Sequence, residues 1–181
     1  MTTKSKFRFA TLLLFAAAAS FTVPTAAGNE LERESRAALR TLVENNRAAR
    51  RASENAMAVL VFPDVVKAGF IFGGEGGDGI LFVNGEPRGR YRTFAASYGL
   101  QAGVQKFGYA LFFMNQKAVD WINQTRGWEI GTGPSVVVVD EGMAKTFSTD
   151  TLHSGIYAFT FDQKGLMAGI GIQGSKIMRL D

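Results

Sequence analysis

The chain begins its folded part with hydrophobic residues at helical spacing. From Asn29 to about Ala58, apolar positions recur every three or four residues among charged ones. This period predicts one long amphipathic helix, and Asn29 followed by Glu32 resembles a capping box at its start. The apolar stripe is thin and rich in alanine, comprising Leu31, Ala38, Leu42, Ala49, Ala52 and Ala56. Such small side chains predict close packing of the helix against a sheet.

Beyond Ala58 the pattern becomes typical of strands. Asn115 to about Arg126 is an exception, because Ala118, Val119 and Ile122 recur at helical spacing after a possible cap at Asn115. Predicted strands are 59–62, 70–72, 80–83, 90–94, 98–114 and 134–140, with a closing hairpin of 156–161 and 166–172. We interpret 64–69 as a helical turn, and 84–89 and 162–165 as turns.

Many short strands with internal glycines and few helices indicate the α+β class. We predict an antiparallel β-sheet curled into a sandwich or partial barrel, with a long N-terminal helix and one crossover helix. The glycines would provide bends and close packing within the strands.

The segment 73–79 (GGEGGDG) contains five glycines and a literal G-x-G-x-x-G. A dinucleotide site needs a helix directly after these glycines, because the pyrophosphate binds at the helix N-terminus. A strand-like segment follows here, so we interpret the stretch as a flexible hairpin or barrel corner and not as a nucleotide loop.

The first 27 residues have the layout of a signal peptide. Lys4, Lys6 and Arg8 precede an apolar run from residue 10 to 19, and small residues at 25–27 suggest cleavage before Gly28. We therefore expect a signal peptide at 1–27, one domain at 28–181, and export to the periplasm or beyond. The chain has no cysteine, which excludes disulfides and the lipid anchor of a bacterial lipoprotein.

Removal of this segment changes the charge. The whole chain has 20 Lys and Arg and 16 Asp and Glu, and the segment holds three of the cations and none of the acids. The remaining chain has 17 cations minus 16 acids, or +1. A generally basic nucleic-acid-binding protein is not indicated, and attraction to anions would come from local patches.

Candidate catalytic groups are sparse. The only histidine, His153, lacks the sequence context of a catalytic triad, and the chain offers too few ligands for zinc. Two carboxylate pairs, Glu75 with Asp78 and Asp140 with Glu141, lie at glycine-marked positions that we interpret as solvated turns. We expect no enzyme activity, no metal site and no cofactor, and a hydrolase using His153 is the weakest hypothesis.

Two groups of arginines are the candidate binding residues. Arg47, Arg50 and Arg51 share a face of the predicted helix, and Arg88, Arg90 and Arg92 alternate along a predicted strand. Three strand arginines on one side, with no acid among them, would repel each other unless anions are nearby. A solvated face without any ligand is the alternative.

Three segments resemble the SYLF family: 59–82 (VLVFPDVVKAGFIFGGEGGDGILF), 97–105 (SYGLQAGVQ) and 169–177 (GIGIQGSKI). The resemblance implies a non-enzymatic domain that binds phosphoinositide membranes through a basic N-terminal segment and, in some members, actin. Here that segment falls on the helix that carries Arg33 to Arg51, without large apolar anchors. Family members also often carry a Trp-Ser-x-Pro stretch where this chain has Tyr91, Arg92, Thr93 and Phe94.

Two functions follow as hypotheses. The first is a peripheral module that recognises anionic phospholipid head groups through Arg47, Arg50, Arg51, Arg88, Arg90 and Arg92. The second is an envelope protein-protein interaction or antigen-like structural protein without lipid specificity.

Overall fold

One curled sheet and three helices form the part of the chain that the structure, a computed structural model, describes, namely residues 26–124, 127–139, 155–165, 172 and 174–180. The elements in chain order are α1 (Ala26–Asn45), α2 (Arg47–Asn55), β1 (Ala58–Val83), β2 (Glu86–Phe113), α3 (Gln116–Gln124), β3 (Gly127–Glu129), β4 (Val136–Val138), β5 (Ile156–Gly165) and β6 (Lys176–Arg179).

A very long antiparallel hairpin is the framework. β1 and β2 pair from Ala58 opposite Phe113 to Val83 opposite Glu86, and Asn84 and Gly85 connect them with φ of 52° and 80°. Positive φ at both residues matches the tight turn that favours Asn-Gly. Three shifts in register let the hairpin bend.

The hairpin is widened along the other edge of β2. β6 pairs with its first part and β5 with its last part, both antiparallel, while β3 joins β6 and β4 joins β5. The predicted α+β class and the curled partial barrel are confirmed. The sheet is mixed, because β4 runs parallel to β5.

Alternate side chains of the strands supply two cores. Leu60, Phe62, Tyr109, Leu111 and Phe113 belong to the core on the concave side, which α3 also covers. Val59, Val61, Phe82, Ala110 and Phe112 point the other way and pack beneath α1 and α2. We call the side of the sheet that is covered by α1 and α2 the helix face. Ala49 and Ala52 are almost fully buried there, as the predicted alanine stripe requires, and Ala48, which was not part of that stripe, is buried beside them.

The glycine-rich stretch lies inside β1, so of the two interpretations from the sequence, a hairpin or a barrel corner, the hairpin is wrong. A Cβ on Gly79 would lie 2.6 Å from the Phe62 ring, and one on Gly77 would lie 3.0 Å from a Val65 methyl group. The end of β1 therefore packs almost backbone to backbone on its beginning. These glycines serve the close approach that curls the hairpin.

The structure also corrects several local predictions and confirms one. Asn46 divides the predicted long helix and caps α2, its side chain accepting a hydrogen bond from the Ala49 amide. Asn29 lies within α1 and is not its cap. Residues 64–69 are strand and not a helical turn, and 162–165 continue β5 and are not a turn. The cap at Asn115 is confirmed, because its Oδ1 accepts from the Ala118 amide at 2.9 Å.

Some predictions fall outside the described residues: nearly all of the signal peptide, the pair Asp140 and Glu141, His153, and most of the strand predicted at 166–172. Within the described ranges, none of the helices is long and apolar enough to cross a membrane.

Candidate anion-binding surface

The strand arginines lie where the alternation along β2 predicts. Tyr91 and Thr93 are buried, whereas Arg88 and Arg92 are exposed and Arg90 is half-buried on the opposite side. That side is the helix face, because Arg90 pairs in register with Ile80, whose side chain packs in the core beneath α1 and α2. The three arginines and the two N-terminal helices therefore lie on the same face of the sheet.

An acid on the neighbouring strand reduces the repulsion expected among the three strand arginines. Asp78 of β1 lies opposite Arg92, and its two carboxylate oxygens accept hydrogen bonds from Arg92 Nε and an Nη at 2.6 and 2.9 Å. Arg90 approaches the same carboxylate at 3.9 Å. The hydrogen bonds from Arg92 hold the pKa of Asp78 below its usual range, against the opposing effect of partial burial. The strand arginines are thus partly neutralised within the fold.

The carboxylate pair Glu75 and Asp78 does not lie in a solvated turn, as the sequence interpretation held. Both residues belong to β1, and Glu75 is only 7% exposed. Its carboxylate accepts a hydrogen bond of 2.9 Å from Ser175 Oγ, next to β6. This contact joins distant parts of the chain, and its burial is typical of a structural role.

β6 adds exposed apolar side chains beside the arginines. Register places Met178 opposite Arg92 and Lys176 opposite Phe94, and the Leu180 amide donates to the Arg90 carbonyl at 2.8 Å. Phe94, Met178 and Leu180 are each about two-fifths exposed. We name this set, Arg88, Arg90, Arg92, Phe94, Lys176, Met178 and Leu180, the basic–apolar patch.

Sequence reasoning missed the β6 half of this patch. Lys176, Met178 and Leu180 alternate with Ile177 and Arg179, which is a period-two signal. The pairing of β6 with the first part of β2, across more than 80 residues of chain, has no local signature.

The three arginines of α2 differ in their exposure and in their contacts. Arg47 is exposed, and its guanidinium makes no hydrogen bond or ion pair with any residue in the described ranges. Arg50 is also exposed, but its guanidinium donates to the carbonyls of Val43 and Glu44 at 2.9 and 2.7 Å. Arg51 is half-buried and has an interaction within the fold. Arg50 therefore serves to close the end of α1.

No group of three or more His, Cys, Asp or Glu side chains that could hold a metal ion occurs within the described ranges. The buried hydroxyl of Tyr109 donates to Thr93 Oγ1 at 2.7 Å, and burial raises the pKa of Tyr109. That pair lies on the opposite side of the sheet from the patch.

Comparison with known proteins gives one family. Residues 94–181 match the model of a family described as Ysc84: Las17-binding protein actin regulator. The matched part starts at Phe94 in the basic–apolar patch and includes β5 and β6. No curated protein matches the chain.

Proposed function

Because the chain belongs, over residues 94–181, to the SYLF family of Ysc84-type actin regulators, we propose that it is a binding module without catalytic activity that docks on anionic phospholipid membranes. The family description names binding and regulation and no reaction.

One observation carries the lipid proposal: on the basic–apolar patch, cations stand next to exposed large apolar side chains. Arg92 neighbours Met178, Arg90 neighbours Leu180, and Lys176 neighbours Phe94. Monomeric soluble proteins seldom expose several neighbouring large apolar side chains unless these contact a partner. A membrane interface satisfies both kinds of group, because phosphates bind the cations while apolar side chains enter the boundary with the acyl chains.

The six predicted arginines would contribute unequally. Arg88 and Arg47 are exposed and make no ion pair with any described residue, so their charges are available to phosphate. Arg90 and Arg92 would exchange the Asp78 carboxylate for a head group, which offsets part of the gain. At ~1 kcal/mol for each basic residue near an anionic surface, three or four engaged cations give weak binding that the apolar side chains reinforce.

Export determines which anions are available. If the signal peptide is cleaved as proposed, the protein meets envelope phospholipids, and neither actin nor phosphoinositides are its natural partners there. The ligand we propose is therefore a surface bearing anionic phosphate head groups in general.

The test is co-sedimentation of the purified protein with anionic and with zwitterionic vesicles, at low and at high salt. We expect binding to anionic vesicles only, weakened by salt because screening shortens the reach of the charges. The double variant Arg88→Glu with Lys176→Glu should lose most binding, and Phe94→Ser with Met178→Ser should weaken it at every salt concentration. Lys117→Glu is the matched control, since this exposed lysine lies on α3, which covers the other core.

A gain-of-binding variant sharpens this test. Asp78→Asn keeps the shape of the side chain but removes the charge that Arg92 and Arg90 share. Anionic-vesicle binding should rise severalfold if these arginines face phosphate. Unchanged binding would exclude Arg90 and Arg92 from the site. Absence of binding to every vesicle would refute the lipid proposal and favour the protein-partner alternative.

A further inference from the structure

A groove separate from the basic–apolar patch lies beside α1. It is bordered by the second half of α1, the connection from α2 to β1, and the turn between β1 and β2. Its volume is about 500 Å³, within the range of small-molecule sites. Apolar side chains form most of the wall, namely Leu39, Val43, Ala56, Met57, Val59 and Phe82.

Burial within this wall is graded. Phe82 and Val59 are 4% and 8% exposed and form the floor, while Met57 is 45% exposed at the rim. The groove therefore offers a continuous apolar path from solvent to the sheet. Such a shape suits an extended alkyl chain better than a bulky or polar group.

Two arginines and no acid line the groove. Arg36 is held in place: its Nε donates to Glu32 at 2.9 Å, an Nη donates to the Gly85 carbonyl at 2.8 Å, and its guanidinium lies 4.8 Å from the centre of the Phe82 ring. Arg40, one turn further along α1, is exposed, and its guanidinium makes no hydrogen bond or ion pair with any described residue. One anchored and one available cation thus stand over an apolar floor.

We propose that this groove binds a single-chain amphiphile with an anionic head, the chemistry that a free fatty acid and a lysophospholipid share. The alkyl chain lies along Val43, Met57 and Phe82, and Arg40 donates to the carboxylate or phosphate. Arg36, whose charge is paired with Glu32, keeps the Phe82 wall in place. This proposal stands independently of membrane docking, because its residues are not part of the basic–apolar patch.

Charge and shape together select this occupant. A cationic amphiphile would face the guanidinium of Arg40, which has no carboxylate partner among the described residues, while Arg36 is already paired with Glu32. A short anion without a chain would leave the apolar wall in contact with water and would lose the favourable contribution of burying that surface. An alkyl chain of intermediate length with an anionic head contacts both the apolar wall and the Arg40 guanidinium.

The test is calorimetric titration of the purified protein with laurate, below the concentration at which it forms micelles. Acetate provides the head without the chain, and dodecyltrimethylammonium provides the chain with the opposite charge. We expect saturable binding of laurate at about one per protein, and no binding of the other two. Dodecyl phosphate in place of laurate tells which head group the arginines prefer.

Variants at the rim locate the site without disturbing the core. Arg40→Gln should weaken laurate binding by about tenfold, as expected for one lost charge-assisted hydrogen bond. Met57→Glu should abolish it, whereas Met57→Leu should retain it. Arg88→Gln is the control outside the groove and should bind laurate like the wild type. Thermal unfolding by circular dichroism checks that each variant is folded.

The outcomes separate this site from the membrane site. Laurate binding lost in Met57→Glu but kept in Arg88→Gln supports the groove, whatever the vesicle experiment gives. Equal binding of laurate and dodecyltrimethylammonium, or laurate binding unaffected by both Arg40→Gln and Met57→Glu, overturns the proposal.

Discussion

The glycines of β1 form one cluster in the sequence, but they differ in how closely other atoms approach them in the fold. At Gly79 an added methyl group would overlap the Phe62 ring, whereas at Gly74 the nearest atom, the Ala95 carbonyl oxygen, is 3.6 Å away. The first position is constrained by the fold of β1 onto itself. The second only continues the strand.

Alanine substitution should therefore separate the two positions. Gly79→Ala should lower the free energy of unfolding by about 1–3 kcal/mol, the usual cost of overpacking in a core. Gly74→Ala should change it by less than ~0.5 kcal/mol, or raise it slightly because alanine restricts the unfolded chain. Urea unfolding measures both. If the two variants were equally stable, β1 would not approach itself at Gly79.

Residue-scale predictions from sequence succeed where the partner is local. The alternation of Arg88, Arg90 and Arg92 follows from the strand period, and the cap at Asn115 follows from residues three positions apart. The role of Asp78 was missed because its partner, Arg92, is 14 residues away on the next strand. The buried contact of Glu75 with Ser175 spans 100 residues, and no local pattern announces it.

At the scale of elements, the junction between α1 and α2 shows how a candidate binding arginine becomes structural. Arg50 reaches back to the carbonyls of Val43 and Glu44, which lie in the last turn of α1. Such carbonyls have no partner within their own helix. Arg47, three residues earlier on the same short helix, makes no comparable contact with any described residue.

Substitution of these two arginines should have different effects on stability. Arg50→Ala should lower the free energy of unfolding by about 0.5–1 kcal/mol, because two charge-assisted hydrogen bonds to partly hydrated carbonyls are lost. Arg47→Ala should leave stability unchanged within error. Thermal unfolding at one pH and salt concentration compares them. An equal loss in both variants would contradict a specific role of Arg50 in closing α1, because alanine has a higher helix propensity than arginine and does not by itself destabilise the helix at either position.

Element boundaries were harder to predict than element types. Helical spacing gave the N-terminal helices but not their break, because Asn46 is both compatible with a helix and a good cap. The strands of the hairpin were predicted as several short pieces, since Pro63 and the glycines normally interrupt strands. Here register shifts and close packing absorb these residues inside β1.

At the scale of the whole molecule, the two sides of the sheet have separate tasks. The helix face carries both proposed binding regions, and the concave side holds the core with α3. Tyr109 is fully buried in that core, and its hydroxyl reaches Thr93, which lies 16 residues earlier on the same long strand. This contact links the first part of β2 to its last part, so the titration of Tyr109 reports on the integrity of the fold.

Alkaline unfolding should reveal this buried tyrosine. Burial, the largest effect, raises the pKa of Tyr109 above its ordinary value. The stabilisation by the neutral hydroxyl is therefore complete below the unfolded-state pKa of about 10, and is lost as pH rises above it toward the folded-state value. In that window the free energy of unfolding should fall by up to ~1.4 kcal/mol per pH unit from this residue.

The variant Tyr109→Phe isolates this contribution. It should be less stable at neutral pH because Thr93 loses its partner, yet its stability should fall less steeply above pH ~10 because phenylalanine does not ionise. Urea unfolding at a series of pH values from 8 to 11 measures the two slopes, with Gly74→Ala as a control that retains the tyrosine. Parallel slopes in wild type and Tyr109→Phe would mean that Tyr109 ionises as readily in the folded protein as in the unfolded chain, which its burial in the core does not allow.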